Sequence, residues 1–207
     1  MSTARATGGR AGVIDPAFSF MAIGDSITAG FSTNLGGFRS KINAGAVRSV
    51  VWQGRNVDTG LHEGYNGQRC DQVLPTVQPI IRIMQPRTLL ITLGVNDINQ
   101  GQSVSSTLSE VIAAAQTLVA ESSYVKHAFI SEIPIGSTMN TAGASAFNSG
   151  LAAAVAALSD ARFVAASTCS RLVIATDFTD GLHPNEVGYQ KMADDWLVVL
   201  RTVFPTL

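Results

Sequence analysis

At 207 residues, with 46% hydrophobic and 14% charged residues, the chain has the composition of one globular domain with a substantial core, which excludes the disordered class. A formal net charge of −1 and only scattered lysines (Lys41, Lys126, Lys191) give no basis for gripping nucleic acid or an acidic membrane surface. No apolar run approaches the length of a membrane span.

Met1 to Asp15 is small and polar, with scattered arginines and without the apolar centre of a signal peptide. Residues 1–16 are read as a flexible tail and residues 17–207 as a single catalytic domain. Phe18 to Ile23 is a short apolar strand that ends at Gly24. Gly36-Gly37 breaks the chain before a short helix around Arg39 to Asn43, and Val47 to Trp52 reads as a second strand. Asp71 to Met84 carries Val73, Val77, Ile80, Ile81 and Met84 at helical spacing, although Pro75 and Pro79 suit a first turn or a kink better than a helix interior.

Thr88 to Leu93 is a nearly continuous apolar run, as expected of a central parallel strand. Ser105 to Ser122 is amphipathic, with Leu108, Val111, Ile112, Ala115, Leu118 and Val119 in one stripe. Ala128 to Ile133 is a further strand closed by Pro134, and Ala144 to Leu158 an alanine-rich helix. Phe163 to Ala166 and Leu172 to Ala175 are both short strand candidates. Pro184 is expected in the first turn of a last helix that runs through Val203, with Tyr189, Met192, Trp196, Val199 and Leu200 facing inward. The alternation predicts an α/β fold with a parallel sheet covered on both faces, whose sites form beyond the carboxyl ends of the strands. Cys70 and Cys169 have no metal-ligand spacing; they are read as free, partly buried thiols, with one disulfide as the alternative.

Several polar residues follow those strand ends. Ser26, in Gly24-Asp25-Ser26-Ile27-Thr28, comes just after the first strand. By itself it is as well explained as a turn or N-cap serine. Asn96, in Gly94-Val95-Asn96-Asp97, follows the central strand, where its amide can donate to a developing oxyanion; Asp97 is expected to tie down the loop. Gly67, in Gly64-Tyr65-Asn66-Gly67, can aim a backbone N–H from a turn. Asp180 and His183 share one loop, and their spacing lets the carboxylate meet Nδ1 while Nε2 faces a serine that needs a base. Of the other histidines, His127 begins a strand and is read as structural, and His62 is a weaker candidate.

These four blocks, taken in order, resemble the SGNH or GDSL hydrolase superfamily, and they cover nearly the whole chain from Phe18 to Val203. The resemblance implies a three-layer α/β/α sandwich with a five-stranded parallel, flavodoxin-like sheet. It implies Ser26 as nucleophile, His183 as general base and acid, Asp180 as its orienter, and Ser26 N–H, Gly67 N–H and the Asn96 side chain as the oxyanion hole. No metal or organic cofactor is implied. The chain has no G-x-S-x-G elbow of the ordinary α/β-hydrolases.

Gly36-Gly37-Phe38-Arg39-Ser40 and His62-Glu63-Gly64-Tyr65-Asn66-Gly67 further resemble segments of carbohydrate esterase family three, as does Asp180 to Tyr189. Those enzymes are typically acetylxylan esterases. The chain departs from them around Val51-Trp52-Gln53-Gly54. The resemblance implies an acetylated polysaccharide or small ester as substrate, with no nucleic-acid or membrane partner, and a monomer. On that substrate and the low charge the protein is read as secreted, with a cytoplasmic location left open. Tyr65, His62 and Arg39 are carried as substrate-binding candidates, although Arg39 is better read as pairing with a carboxylate such as Asp58 or Glu63. Phe31, Phe38 and Trp52 also lie near the blocks and offer stacking faces, with Phe38 and Trp52 expected in the core. A lipid esterase, lysophospholipase or thioesterase of the same superfamily is the first alternative, and a non-catalytic carbohydrate-binding module the second.

Overall fold

The computed structural model describes residues 18–34, 36–57 and 60–207, so the tail expected over residues 1–16 lies outside the described residues. β1 (Ser19–Gly24), second in the sheet, is buried along its whole length. It pairs in parallel with β2 (Val51–Gln53) on one side and with β4 (Thr88–Thr92) on the other, Met21 opposite Gln53 and Leu89. β5 (His127–Ser131) and β6 (Phe163–Ala166) continue the parallel sheet. A two-residue strand, β3 (Glu63–Gly64), runs beside Ile23 and Gly24 at the carboxyl end of β1. The order is β2-β1-β4-β5-β6. With β3 set aside, this is the 2-1-3-4-5 order of flavodoxin-like sheets.

Two groups of helices form the outer layers of an α/β/α sandwich. α2 (Gly37–Gly45) packs on α7 (Glu186–Val203), while α3 (Cys70–Met84), α5 (Val104–Ala120) and α6 (Thr141–Ala156) pack side by side. Two short helices, α1 (Ser26–Ala29) and α4 (Val95–Asn99), open directly from the ends of β1 and β4. Beneath α7, Phe20 and Phe129 meet Phe204 at ring-centroid distances of 5.5 and 6.4 Å, and Phe38 stacks on Trp196 at 5.9 Å. Trp52 meets Phe20 edge-on at 6.1 Å, so Phe38 and Trp52 pack against the core as expected. Among the described residues, no helix is long and apolar enough to cross a membrane.

Several elements differ from the sequence expectation. The second strand begins at Val51 rather than Val47, because Val47 is 85% exposed and Val50 N–H is taken by Asn43 Oδ1 at 3.2 Å. Leu172–Ala175 is not a strand: Leu172 N–H returns to Cys169 O and Thr176 N–H to Val173 O, which makes successive turns. Pro184 precedes α7 and pairs in an isolated bridge with Phe178; Asn185 caps the helix, its Oδ1 accepting from Val187 and Gly188 N–H. α3 runs unbroken through Pro75 and Pro79. Both prolines lie on its exposed face, where the carbonyls they leave unpaired are solvated. Both cysteines are free and buried.

Candidate active site

Ser26 is the first residue of α1, where β1 ends. The cap of this helix is Asp25, whose Oδ1 accepts from Ile27 N–H at 2.9 Å. With the cap filled by its neighbour, Ser26 Oγ is free to bond His183 Nε2 at 2.9 Å. On the far side of the ring, His183 Nδ1 meets Asp180 Oδ2 at 2.7 Å. Asp180 Oδ1 accepts from Leu182 and His183 N–H at 3.0 and 2.8 Å. Burial works to raise the Asp180 carboxyl, but the His183 backbone and imidazole and the Leu182 N–H outweigh it and hold the group down at about 2.

Two glycines let the loop after β5 buttress this one. Gly181 sits at φ +77, and a Cβ there would fall 2.6 Å from Ser137 Oγ. A Cβ on Gly136 would fall 2.0 Å from Gly181 O. Close approach of the two backbones allows Thr138 N–H to donate to Gly181 O at 3.0 Å. Asp177, almost wholly buried, ties the same loop to α7 through Lys191 Nζ at 2.6 Å.

Asn96 comes from α4, at the end of β4. Its Nδ2 donates to Gln68 O at 2.9 Å and reaches Asp25 Oδ2 at 3.4 Å. Gly67 occupies a turn at φ +72, its carbonyl accepting from Gln100 Nε2. Asp97 has the expected anchoring role, both oxygens accepting from Cys70 N–H at the start of α3. Ser26, Gly67, Asn96, Asp180 and His183 therefore all leave the carboxyl edge of one parallel sheet.

An open cleft of about 480 Å³ adjoins this edge, lined by Ala29, Arg55, Asn56, His62, Gly64 and Tyr65 among others. Tyr65 and His62 thus belong to the cleft, His62 buried with its Nδ1 accepting from Gly64 N–H at 3.0 Å. Arg39 does not line it. It is 1% exposed and donates to the carbonyls of Thr28, Ala29, Gly60 and Leu61, pinning the loop behind α1. The expected pairing with Asp58 lies outside the described residues. Glu63 pairs instead with Arg55, whose N–H and Nη2 it accepts at 2.6 and 3.3 Å. The Tyr65 hydroxyl donates to the same carboxylate, and Arg55 Nη2 reaches the Tyr65 oxygen at 2.7 Å. Burial and the neighbouring carboxylate push the Tyr65 phenol up to about 12.

Sequence reasoning missed two of these features. Asp25 is fully buried, and burial pushes its carboxyl up to about 7, with the Asp97 charge adding and the Ile27 N–H opposing. Arg55 was not singled out, although a buried glutamate beside a turn required a cation nearby. Phe31, which the sequence offers as a stacking face, sets its ring centroid 4.4 Å from that of His183. Among the described residues, no group of three or more His, Cys, Asp or Glu side chains could hold a metal ion.

A hydroxyl, an imidazole and a carboxylate joined in series, beyond the strand ends of a parallel sheet, define the serine-hydrolase class of arrangement. The chain belongs to the GDSL-like lipase/acylhydrolase family, whose profile matches residues 22–191. It is accordingly an ester hydrolase of that family. Among solved structures it is similar to a Clostridium thermocellum family 3 carbohydrate esterase, with 18% identity over 90% of this chain and 96% of that one and a TM-score of 0.78. It is likewise similar to a carbohydrate esterase family 3 from Talaromyces cellulolyticus, at 21% identity over 91% and 98% of the two chains, TM-score 0.74. A third is an acetyl esterase mutant with an acetate ion, at 22% identity over 90% and 97%, TM-score 0.73. At these identities the likeness concerns the fold. No curated protein sequence matches the chain.

Proposed function

We propose that this esterase removes O-acetyl groups from a polysaccharide such as xylan through an acetyl-enzyme on Ser26. The observation that carries the reading is the unbroken series from Ser26 Oγ to His183 Nε2 at 2.9 Å and from His183 Nδ1 to Asp180 Oδ2 at 2.7 Å. Ser26 Oγ attacks the acetyl carbonyl while His183 Nε2 takes its proton. Asp180 stays ionised and holds the ring in the tautomer that leaves Nε2 basic. The carbonyl oxygen, now an anion, is met by Ser26 N–H, Gly67 N–H and Asn96 Nδ2, the last giving up its long 3.4 Å contact with Asp25 Oδ2. Ser26 N–H is open to this role because the first helical N–H groups have no partner within α1.

His183 then gives its proton to the departing sugar oxygen. Water, deprotonated by the same Nε2, attacks the acetyl-enzyme and releases acetate and the free serine. Atoms balance as ester plus water to alcohol plus acetic acid.

The choice of acetyl and sugar is supported by the adjoining cleft, where Arg55, Asn56, His62 and Tyr65 set hydrogen-bonding groups beside the apolar Ala29 and Val57. Similarity to carbohydrate and acetyl esterases points the same way. We further propose a monomeric, secreted enzyme. The test is acetate release from acetylated xylan, run beside esters of increasing acyl length. Rates that rise with chain length replace this reading with the lipid-esterase one, and xylan binding without acetate release from any ester replaces it with a binding module. Ser26→Ala should lower turnover by roughly 10⁶-fold.

A further inference from the structure

Phe31 is exposed and yet rigidly held. With 46% of its surface in solvent, the side chain forgoes much of what full burial would contribute. Its backbone is nevertheless fixed at both ends. Phe31 N–H donates to the carbonyl of Ser26 at 3.0 Å, and Phe31 O accepts from the hydroxyl of fully buried Tyr189 at 3.2 Å. On either side the chain turns through left-handed conformations, Gly30 at φ +83 and Ser32 at φ +70. The first of these must be glycine, since a Cβ at Gly30 would fall 2.6 Å from Gly37 N.

That rigid turn sets one side of the ring against His183, centroid to centroid 4.4 Å at an interplanar angle of 45°. His183 Nε2 hands its proton to the leaving oxygen across a hydrogen bond of about 3 Å. A ring that carries that oxygen can therefore come within van der Waals reach of Phe31, where a methyl group is too small to cover it. We propose that Phe31 is a leaving-group platform, its exposed part receiving the C–H face of the alcohol ring that departs from the acetyl group. This rests on the acetyl-transfer reading above and adds to it the residue that selects the alcohol. A pyranose suits such a platform because one face of the ring presents C–H bonds while its hydroxyls stay in water. Partial exposure is what the role requires: a ring serving only to cover the imidazole would itself be covered.

The alcohol is present during acylation and gone during deacylation, when water takes its place. A leaving-group contact therefore affects the first step alone. The test compares Phe31→Ala and Phe31→Tyr with the natural chain on acetylated xylo-oligosaccharide, cyclohexyl acetate and methyl acetate. Deacylation is followed separately, in single turnovers of acetyl-enzyme formed from an aryl acetate. In Phe31→Ala the ratio of kcat/KM for cyclohexyl over methyl acetate should fall roughly tenfold, with the same fall for the oligosaccharide over methyl acetate. Phe31→Tyr, which restores an aromatic face, should recover most of it, and deacylation should keep its rate.

An equal loss on ring and methyl esters together with slowed deacylation overturns the platform and makes Phe31 a support for His183. Unchanged ratios overturn it outright. Cyclohexyl acetate separates this inference from the function proposed above. If the natural chain releases no acetate from the oligosaccharide, the polysaccharide reading falls, while the cyclohexyl-to-methyl ratio still decides for or against Phe31. Since the side chain is exposed, thermal unfolding of the variants checks that both remain folded.

Discussion

Replacing Asp25 by asparagine changes the pH dependence of stability in a way that the buried geometry specifies. The carboxyl is inaccessible to solvent, accepts one backbone N–H at 2.9 Å and lies 3.4 Å from an amide nitrogen. Burial, first, and then the Asp97 charge push it from 3.8 to about 7 in the folded chain, against the Ile27 hydrogen bond. The folded form thus keeps a proton that the unfolded chain releases near pH 4. Because the folded value is the higher one, the stability tied to this proton is complete below 3.8 and is lost as pH rises through about 7. About three units at 1.36 kcal/mol each make the loss roughly 4 kcal/mol. An asparagine does not titrate, and its side-chain oxygen can still cap α1. The unfolding free energy of Asp25→Asn minus that of the natural chain should therefore climb by roughly 4 kcal/mol between about pH 4 and pH 8. Urea unfolding of both proteins at successive pH values measures this, and the titrating groups not coupled to Asp25, as Asp97 is, cancel in the difference. A difference flat to within about 1 kcal/mol would refute the reasoning, since the carboxyl would then be ionised or solvated in the fold.

Three further outcomes follow from the site. Asp180→Asn should lower kcat/KM roughly 10⁴-fold by allowing the wrong imidazole tautomer. Its side chain is 45% exposed, so the unfolding midpoint in urea should hardly move; moreover, a carboxyl held at about 2 stays charged well into acid, so loss of activity in the natural chain at mildly acidic pH is not its titration. Asn96→Ala should reduce kcat by roughly 10²–10³-fold with little change in KM, read from steady-state kinetics on a small acetate ester. Arg55→Leu strips the buried Glu63 of its cation and should cost about 2–3 kcal/mol in thermal unfolding, less than for a fully buried pair because Arg55 is itself half-exposed; the double variant with Glu63→Gln should recover part of it.

The legible parts of the molecule were those written locally. Continuous apolar runs marked β1, β4 and β5, and a helical stripe marked α5, because a strand buried on both faces and a half-buried helix leave distinct periodicities. The boundaries of β2 and α7 were less legible, since both depend on single asparagines, Asn43 and Asn185, whose side chains take backbone N–H groups. α3 shows a different limit. Proline was expected to interrupt it, but two prolines four residues apart share the solvent face, so the chain loses hydrogen bonds only where water replaces them. Arg39 meets a related limit. A buried guanidinium can be satisfied by backbone carbonyls as well as by a carboxylate, and spacing along the chain does not distinguish the two.

What the sequence left undecided at Ser26 turns on its neighbour. A serine after a strand is commonly a helix cap, and a capping hydroxyl is engaged by the backbone and unavailable as a nucleophile. Here the capping oxygen belongs to Asp25, and Ser26 is the first residue inside the helix. The consequence is chemical as well as structural. A buried hydroxyl released from local backbone duty needs a partner from elsewhere in the chain, and the one it has is His183, 157 residues away. The same aspartate brings its second oxygen toward Asn96, so one buried carboxyl both frees the serine and touches the Asn96 amide. Neither contact is visible in the spacing of Gly24–Thr28. The second exists because β1 and β4 are adjacent in the sheet, which carries Asp25 and Asn96 to the same edge.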